Sequence, residues 1–269
     1  MEDVTGTPAV TDAAKIVTFH RAFTPTLPPM RGDKTGLGAL PTAAFQYCEA
    51  MRSAASFGWY IFPPIDATLR WDGHEALYMD DSGRWHPLSS VYLGDEFADY
   101  WDEHAPEPMK GWRIPFMSSL FVPGIVQVWS GIFVSTAENW SVLARPLANV
   151  DPPSSYMVYE GLVETDQFKP CPLFVNIKLL ATDHDIVLSR MKPLFQVQPI
   201  HRDCYSEATM ASTEAEGLRP PSDGVAGMSM ADWKGLERTT RSVQAIREAD
   251  GFGGYGAAVR RRGKTGGSS

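Results

Sequence analysis

Between residues 116 and 200, apolar positions come in short runs rich in β-branched and aromatic residues, with Pro, Gly or Asn/Asp clusters separating many of them. These runs predict strands at 125–129, 131–134, 141–145, 157–163, 173–180, 186–188 and 195–200. No helical period intervenes, so the pattern favours an antiparallel sandwich or barrel over a βαβ arrangement. Upstream, 16–19 and 59–62 read as strands, the second stopped by Pro63 and Pro64. Residues 67–71 alternate and meet Asp72-Gly73, a strong hairpin signal, which puts the return strand at 75–79.

Helical spacing is clearest at Ala44, Tyr47, Cys48, Met51, Ala54 and Ala55, with Thr42 as the expected N-cap and Gly58 as the stop. A second helix is expected from Asp232 through Trp233, Leu236, Thr240, Val243 and Ile246. The acidic, aromatic stretch 80–112 reads as surface loop with some helix near 96–103. Three segments follow: a Pro- and Gly-rich N-terminal arm (1–40), a β-rich core (41–205), and a linker, helix and glycine-rich basic tail (206–269). The expected class is mainly β, with one N-terminal and one C-terminal helix.

The chain has 269 residues, 43% of them hydrophobic, enough for a sizeable core. A formal charge of −8 argues against general nucleic-acid binding by that core, because neutralising phosphates requires basic surface. Arg260, Arg261, Arg262 and Lys264 in the tail are the exception. Cys48, Cys171 and Cys204 are odd in number and far apart, a reduced-compartment pattern with no metal knuckle. The acidic start lacks the order of a secretory signal, and no apolar run is long enough to span a bilayer. The expected setting is cytoplasmic, or a particle assembled inside a cell.

Glu160, Glu164 and Asp166 would share one face if 160–166 stayed a strand. Three close carboxylates suit a cation or acid/base work, and Glu164 and Asp166 are the candidate catalytic pair. The plainer reading is a strand end meeting solvent at a turn. Arg145 and Asn149 flank an expected loop, and Asn176 interrupts an apolar strand, where its amide either pins the loop or reads a ligand. Neither Asp183-His184-Asp185 nor His201-x-Asp203 makes a metal constellation, so no metal residue is assigned. Buried thiols and core tryptophans are the default for Cys and Trp.

Cys48 through Gly58-Trp59, Trp71-Asp72-Gly73, Arg145 to Asn149, Glu160 to Asp166, Phe174-Val175-Asn176 and Pro193 to Gln196 together resemble a bacterial and phage family, domain of unknown function 6065. More remotely, the same order is similar to the β-clip fold of dUTPases and dCTP deaminases. There Gly161 to Phe168 stands at the Gly-Val-Ile-Asp-x-Asp-Tyr motif, and Gly251 to Gly254 at a glycine-rich arm whose Phe, here Phe252, stacks on the nucleotide. That resemblance implies a trimer with sites between subunits, Arg145 toward phosphates and Glu164 in place of a water-activating Asp. The chain departs where Arg-Ser-Gly becomes Arg145-Pro146-Leu147 and where Gly58 or Trp59 replaces a motif Asp. The expected function is therefore a non-enzymatic structural or binding protein, a phage or particle component that forms a homo-oligomer or larger assembly. The alternatives are a nucleotide-binding or nucleotide-processing enzyme with an intersubunit site, and a metal-dependent biosynthetic enzyme. The cofactor is left unknown.

Overall fold

Short apolar runs punctuated by Gly and Pro do fold as strands. The computed structural model describes residues 15–211, 228–240 and 254–265. β1 (Val17–Arg21) and β2 (Met30–Arg31) precede α1 (Thr42–Tyr47) and α2 (Glu49–Ser56). β3 (Trp59–Ile61), β4 (Ala67–Trp71), β5 (Ala76–Met79), β6 (Trp85–Pro87) and β7 (Ser90–Val91) lead to α3 (Asp95–His104). β8 (Met117–Ser119), β9 (Ile125–Thr136), β10 (Trp140–Arg145), β11 (Tyr156–Val158) and β12 (Gly161–Val163) come next. β13 (Cys171–Leu179), β14 (Ile186–Leu188) and β15 (Phe195–His201) complete the sheets, and α4 (Glu207–Ala211), α5 (Met230–Thr240) and α6 (Gly254–Thr265) follow.

The strands make three open sheets with antiparallel ladders, ordered β11-β13-β9-β8-β7, β12-β10-β15-β3-β2 and β14-β4-β5-β6. The mainly β, antiparallel class is the one the pattern predicts. β9 is the spine of the first sheet. One of its edges pairs with β13, and the other is shared by β8 over 126–128 and by β1 over 132–136. Between these two neighbours β9 bulges at Ser130-Gly131, and its register to β13 shifts between Pro172 and Phe174. Gly131 has φ +73°, and a Cβ there would lie 2.8 Å from Thr26 Oγ1, so only glycine fits. The Ser130 hydroxyl donates to the Leu173 carbonyl (2.9 Å), replacing a ladder bond lost at the bulge.

Alternation sorts the faces. Leu173, Val175, Ile177 and Leu179 of β13 are buried, along with Val126, Val128, Trp129, Ile132 and Val134 of β9. α3 caps this core through Phe97, which meets Trp129 edge-on at 5.8 Å and Phe23 at 5.6 Å. Phe23 and β1, from the stretch read as an arm, thus belong to the same core as the sheets.

Several expectations need correction. The 42–55 helix is two helices, because Cys48 leaves helical geometry (φ −105°, ψ 90°); Pro41, not Thr42, stands at its N-cap. The expected strands at 125–129 and 131–134 are one, since Gly131 bulges the strand without ending it. The single strand expected at 157–163 is two, in different sheets. The stretch 80–112 contains β6 and β7, not only loop and helix. There are more helices than one at each end: α1 and α2 near the start, α3 in the middle, and α4 to α6 after the sheets. α6 occupies the basic tail, where no helix was expected, and α5 starts ahead of the expected Asp232, with Ser229 as its cap. The Ser229 and Asp232 side chains each bond the other's backbone N–H, a capping box.

Candidate functional site

The site grows from the point where the chain changes sheets. β11 covers the edge of β13 only at 177–179. The Tyr159 N–H reaches the Asn176 carbonyl (2.9 Å), and at Glu160 the chain turns away to join β10 as β12. The remainder of that β13 edge and the departing β12 leave an open cleft of about 260 Å³. Val134, Val142, Ala144, Leu173 and Val175 give it apolar walls, and Gln127, Tyr159, Glu160, Thr165, Cys171 and Asn176 add polar atoms. Such a mix of apolar wall and few polar groups is typical of ligand pockets.

Two of the residues singled out from sequence, Glu160 and Asn176, line this cleft, and a third, Arg145, sits beside it. Asn176 lies opposite Gln127 across the β13–β9 ladder, and the Gln127 amide donates to its side-chain oxygen at 3.4 Å. Asn176 therefore does not pin a loop. That task falls to Gln196, fully buried on β15: its oxygen accepts from the Ala148 N–H (3.0 Å), and its amide donates to the Ala55 and Phe57 carbonyls (3.1 and 2.7 Å). Asn149, at φ +60°, adds a bond from its amide to the Met51 carbonyl (2.9 Å) and so faces α2, not the cleft. Arg145 lies 3.6 Å from Glu160, a loose pair with both side chains part-exposed, and its Nε is buried without a partner. Cys171 is half-buried, and burial pushes its thiol up, away from the thiolate form.

The three carboxylates are not brought together on one face. The strand stops at Val163, and Glu164 begins a turn in which its carbonyl accepts from the Gln167 and Phe168 N–H groups. This swings Asp166 inward, where it is buried and accepts from the Asn139 N–H (2.9 Å), the Gln167 amide (3.3 Å) and the Arg202 guanidinium (2.5 Å). Burial alone would raise the Asp166 carboxyl, but these donors outweigh it and hold it below the usual carboxylate range. Glu164 stays exposed, 3.5 Å from the same Arg202. Beside them, the Thr165 hydroxyl meets that of Thr136 (2.8 Å), which donates to the Trp140 carbonyl. Asp166 thus ties the 164–168 turn to the β9–β10 connection and to the end of β15.

Among the described residues, no group of three or more His, Cys, Asp or Glu could hold a metal ion. The Asp203 N–H donates to His201 Nδ1, so that pair closes on itself. Asp183 to Asp185 carries the chain from the first sheet to the third, with the Asp183 N–H on the Trp71 carbonyl (2.8 Å). Phe252 lies outside the described residues. Gln127 and Tyr159 were missed by sequence reasoning. Their only signal is positional, since a polar residue mid-strand gains meaning once its cross-strand neighbour is known.

No protein-family model matches the chain, so the resemblance to domain family 6065 is not supported by one, and no curated protein matches it in sequence. Among solved structures it is similar to the dUTPase of Staphylococcus bacteriophage 80alpha. A mutant form with dUpNHpp aligns at TM-score 0.33 and 9% identity, covering 81% of this chain and 97% of that one. A second mutant form with dUpNHpp aligns at TM-score 0.33 and 9% identity over 84% and 95%.

Proposed function

We propose that this chain is a non-enzymatic binding protein on a β-clip-like scaffold, whose ligand enters the cleft between β12 and β13. The observation that carries the reading is the placement of the carboxylates. A general base needs a carboxylate whose lone pairs face the substrate. Asp166 instead directs both oxygens into the fold, toward Asn139 and Arg202. Glu160 turns to Arg145 and Glu164 lies by Arg202 at the surface, so neither forms a pair with Asp166 across the cleft.

The cleft fits a ligand with a flat, largely apolar body and one donor–acceptor edge. The Gln127–Asn176 amide pair offers a free acceptor and a free donor, and Tyr159 adds an aromatic residue to the lining. Arg145, beside the cleft and only loosely paired with Glu160, favours an anionic appendage. Deoxynucleotides combine these features and are the first ligands to test.

A thermal-shift screen of deoxynucleotides with and without Mg²⁺, run beside a pyrophosphate-release assay, separates the readings. Binding at ~100 times the dissociation constant stabilises by about 2.7 kcal/mol. Stabilisation without turnover, abolished by Asn176→Leu, is expected. Turnover that Glu164→Gln abolishes would make the protein a nucleotide-processing enzyme instead, and no shift with any nucleotide would remove that ligand class. The wider role, a component of a phage or other particle built from several copies, rests on this non-catalytic reading.

A further inference from the structure

Apart from the cleft, the chain carries an apolar knob and an apolar trench that its own fold keeps apart. The knob is the turn between β8 and β9, where Phe121 is fully exposed and Val122 more than half exposed. That turn is braced. The Leu120 N–H bonds the Ile125 carbonyl (3.0 Å), the Ile125 N–H bonds the Val122 carbonyl (3.2 Å), and Gly124 lies against the Trp71 ring. Phe121 is therefore presented on a fixed support, so little ordering entropy opposes its burial by a partner.

The trench consists of two adjoining cavities of about 310 and 220 Å³ that share Leu147, Val150, Tyr156, Pro193 and Leu194. An apolar cavity of about 150 Å³ already holds a benzene ring, so either one admits a phenylalanine side chain.

Charge identifies the occupant. A chain at −8 repels its own copies over most of its surface. The stretch 114–137, which includes the knob, has no charged side chain, and neither do the residues shared by the two cavities; Asp151 lines one cavity and Lys192 the other. Two copies meeting through the knob and these shared residues would bring no like charges into opposition there. They also lie at one end of the first sheet: the Leu179 N–H bonds the Gly124 carbonyl, and Leu179 pairs with Tyr156. Gly124 at the base of the knob and Tyr156 of the trench are thus about two strand spacings, roughly 10 Å, apart, which allows a reciprocal contact about a two-fold axis.

We infer that the Phe121 tip of one copy seats in the Leu147–Val150–Tyr156–Leu194 trench of a second copy. The test is sedimentation velocity on the full chain across a concentration series, with Phe121→Ser, Val150→Arg and their equimolar mixture. Phe121 is exposed and Val150 part-exposed in a loop, so both variants should melt as the parent does. The parent is expected to show concentration-dependent association, and each variant to raise the dissociation constant tenfold or more, as loss of an aromatic anchor does. The mixture should recover association as a mixed species, because the Val150→Arg copy keeps its tip and the Phe121→Ser copy keeps its trench. A parent that stays monomeric throughout overturns the inference. So does a Phe121→Ser variant that associates like the parent, or a mixture that recovers nothing.

Discussion

Gly58 shows how a single backbone angle can join two elements. At φ +95° it ends the approach from α2, and a Cβ there would overlap the Val197 carbonyl oxygen on β15. Gly58→Ala is expected to lower stability by at least about 2 kcal/mol through left-handed strain and displacement of β15, read as a fall in denaturant midpoint at constant slope. Gln196→Leu should be of similar size, about 2–4 kcal/mol, because it leaves the Ala148 N–H and the Ala55 and Phe57 carbonyls without their buried partner. Asp166 gives a pH signature. Its carboxyl binds protons less readily folded than unfolded, so the unfolded chain holds more protons in the acid range. Its contribution is complete above the ordinary carboxylate pKa and disappears as pH falls through the lowered folded value. Unfolding curves from pH 7 to 2 should therefore show a shallower acid decline for Asp166→Asn than for the parent; an unchanged slope would remove Asp166 as an anchor.

At the scale of elements, the bulge in β9 and the cap of α5 are the sensitive points. Gly131→Ala would drive its Cβ against Thr26 and Pro64 at φ +73° and is expected to destabilise by about 2 kcal/mol in chemical denaturation. Ser229→Ala removes one half of the capping box and should lower helicity by circular dichroism, at a cost of about 1 kcal/mol to α5. These features also mark where the sequence was readable. The Asp72-Gly73 hairpin forms as read, with Asp72 accepting from the His74 and Glu75 N–H groups, because turn chemistry is local. β9 was read as two strands because glycine signals a stop and a bulge alike. Met30–Arg31 and Ser90–Val91 are too short to show a period, and pairing alone makes them strands. α6 was hidden by its glycines, and it packs where Arg260 reaches the Gln46 carbonyl (2.6 Å) and approaches Glu49 (3.6 Å). In the candidate site Asn176 was legible as a polar break in an apolar run, and Glu160 only as a member of a carboxylate set that the structure does not bring together. The inward turn of Asp166 was not: a strand end at 163 was readable, but the turn after it was expected to meet solvent, and nothing local shows that Arg202 and the Asn139 N–H would draw Asp166 inward.

For the whole molecule, the buried cluster runs from Phe23 to Val197 and draws on all three sheets, so melting should be one cooperative transition. Truncation after Ser206 would keep the Ser141–Tyr205 and Asp166–Arg202 contacts. It should leave the melting temperature within a few degrees of the parent, by calorimetry, on the ~2–4 °C per kcal/mol scale for a domain of this size. Tyr159 and Glu160 are the sole covalent link between the strand that closes one sheet and the strand that opens the next. A residue inserted between them would leave the pairings of β11 and β12 intact while resetting the spacing of the gap. Lineages of this chain could therefore retune what they admit by small changes in length at one crossing, with the surrounding architecture left as it is.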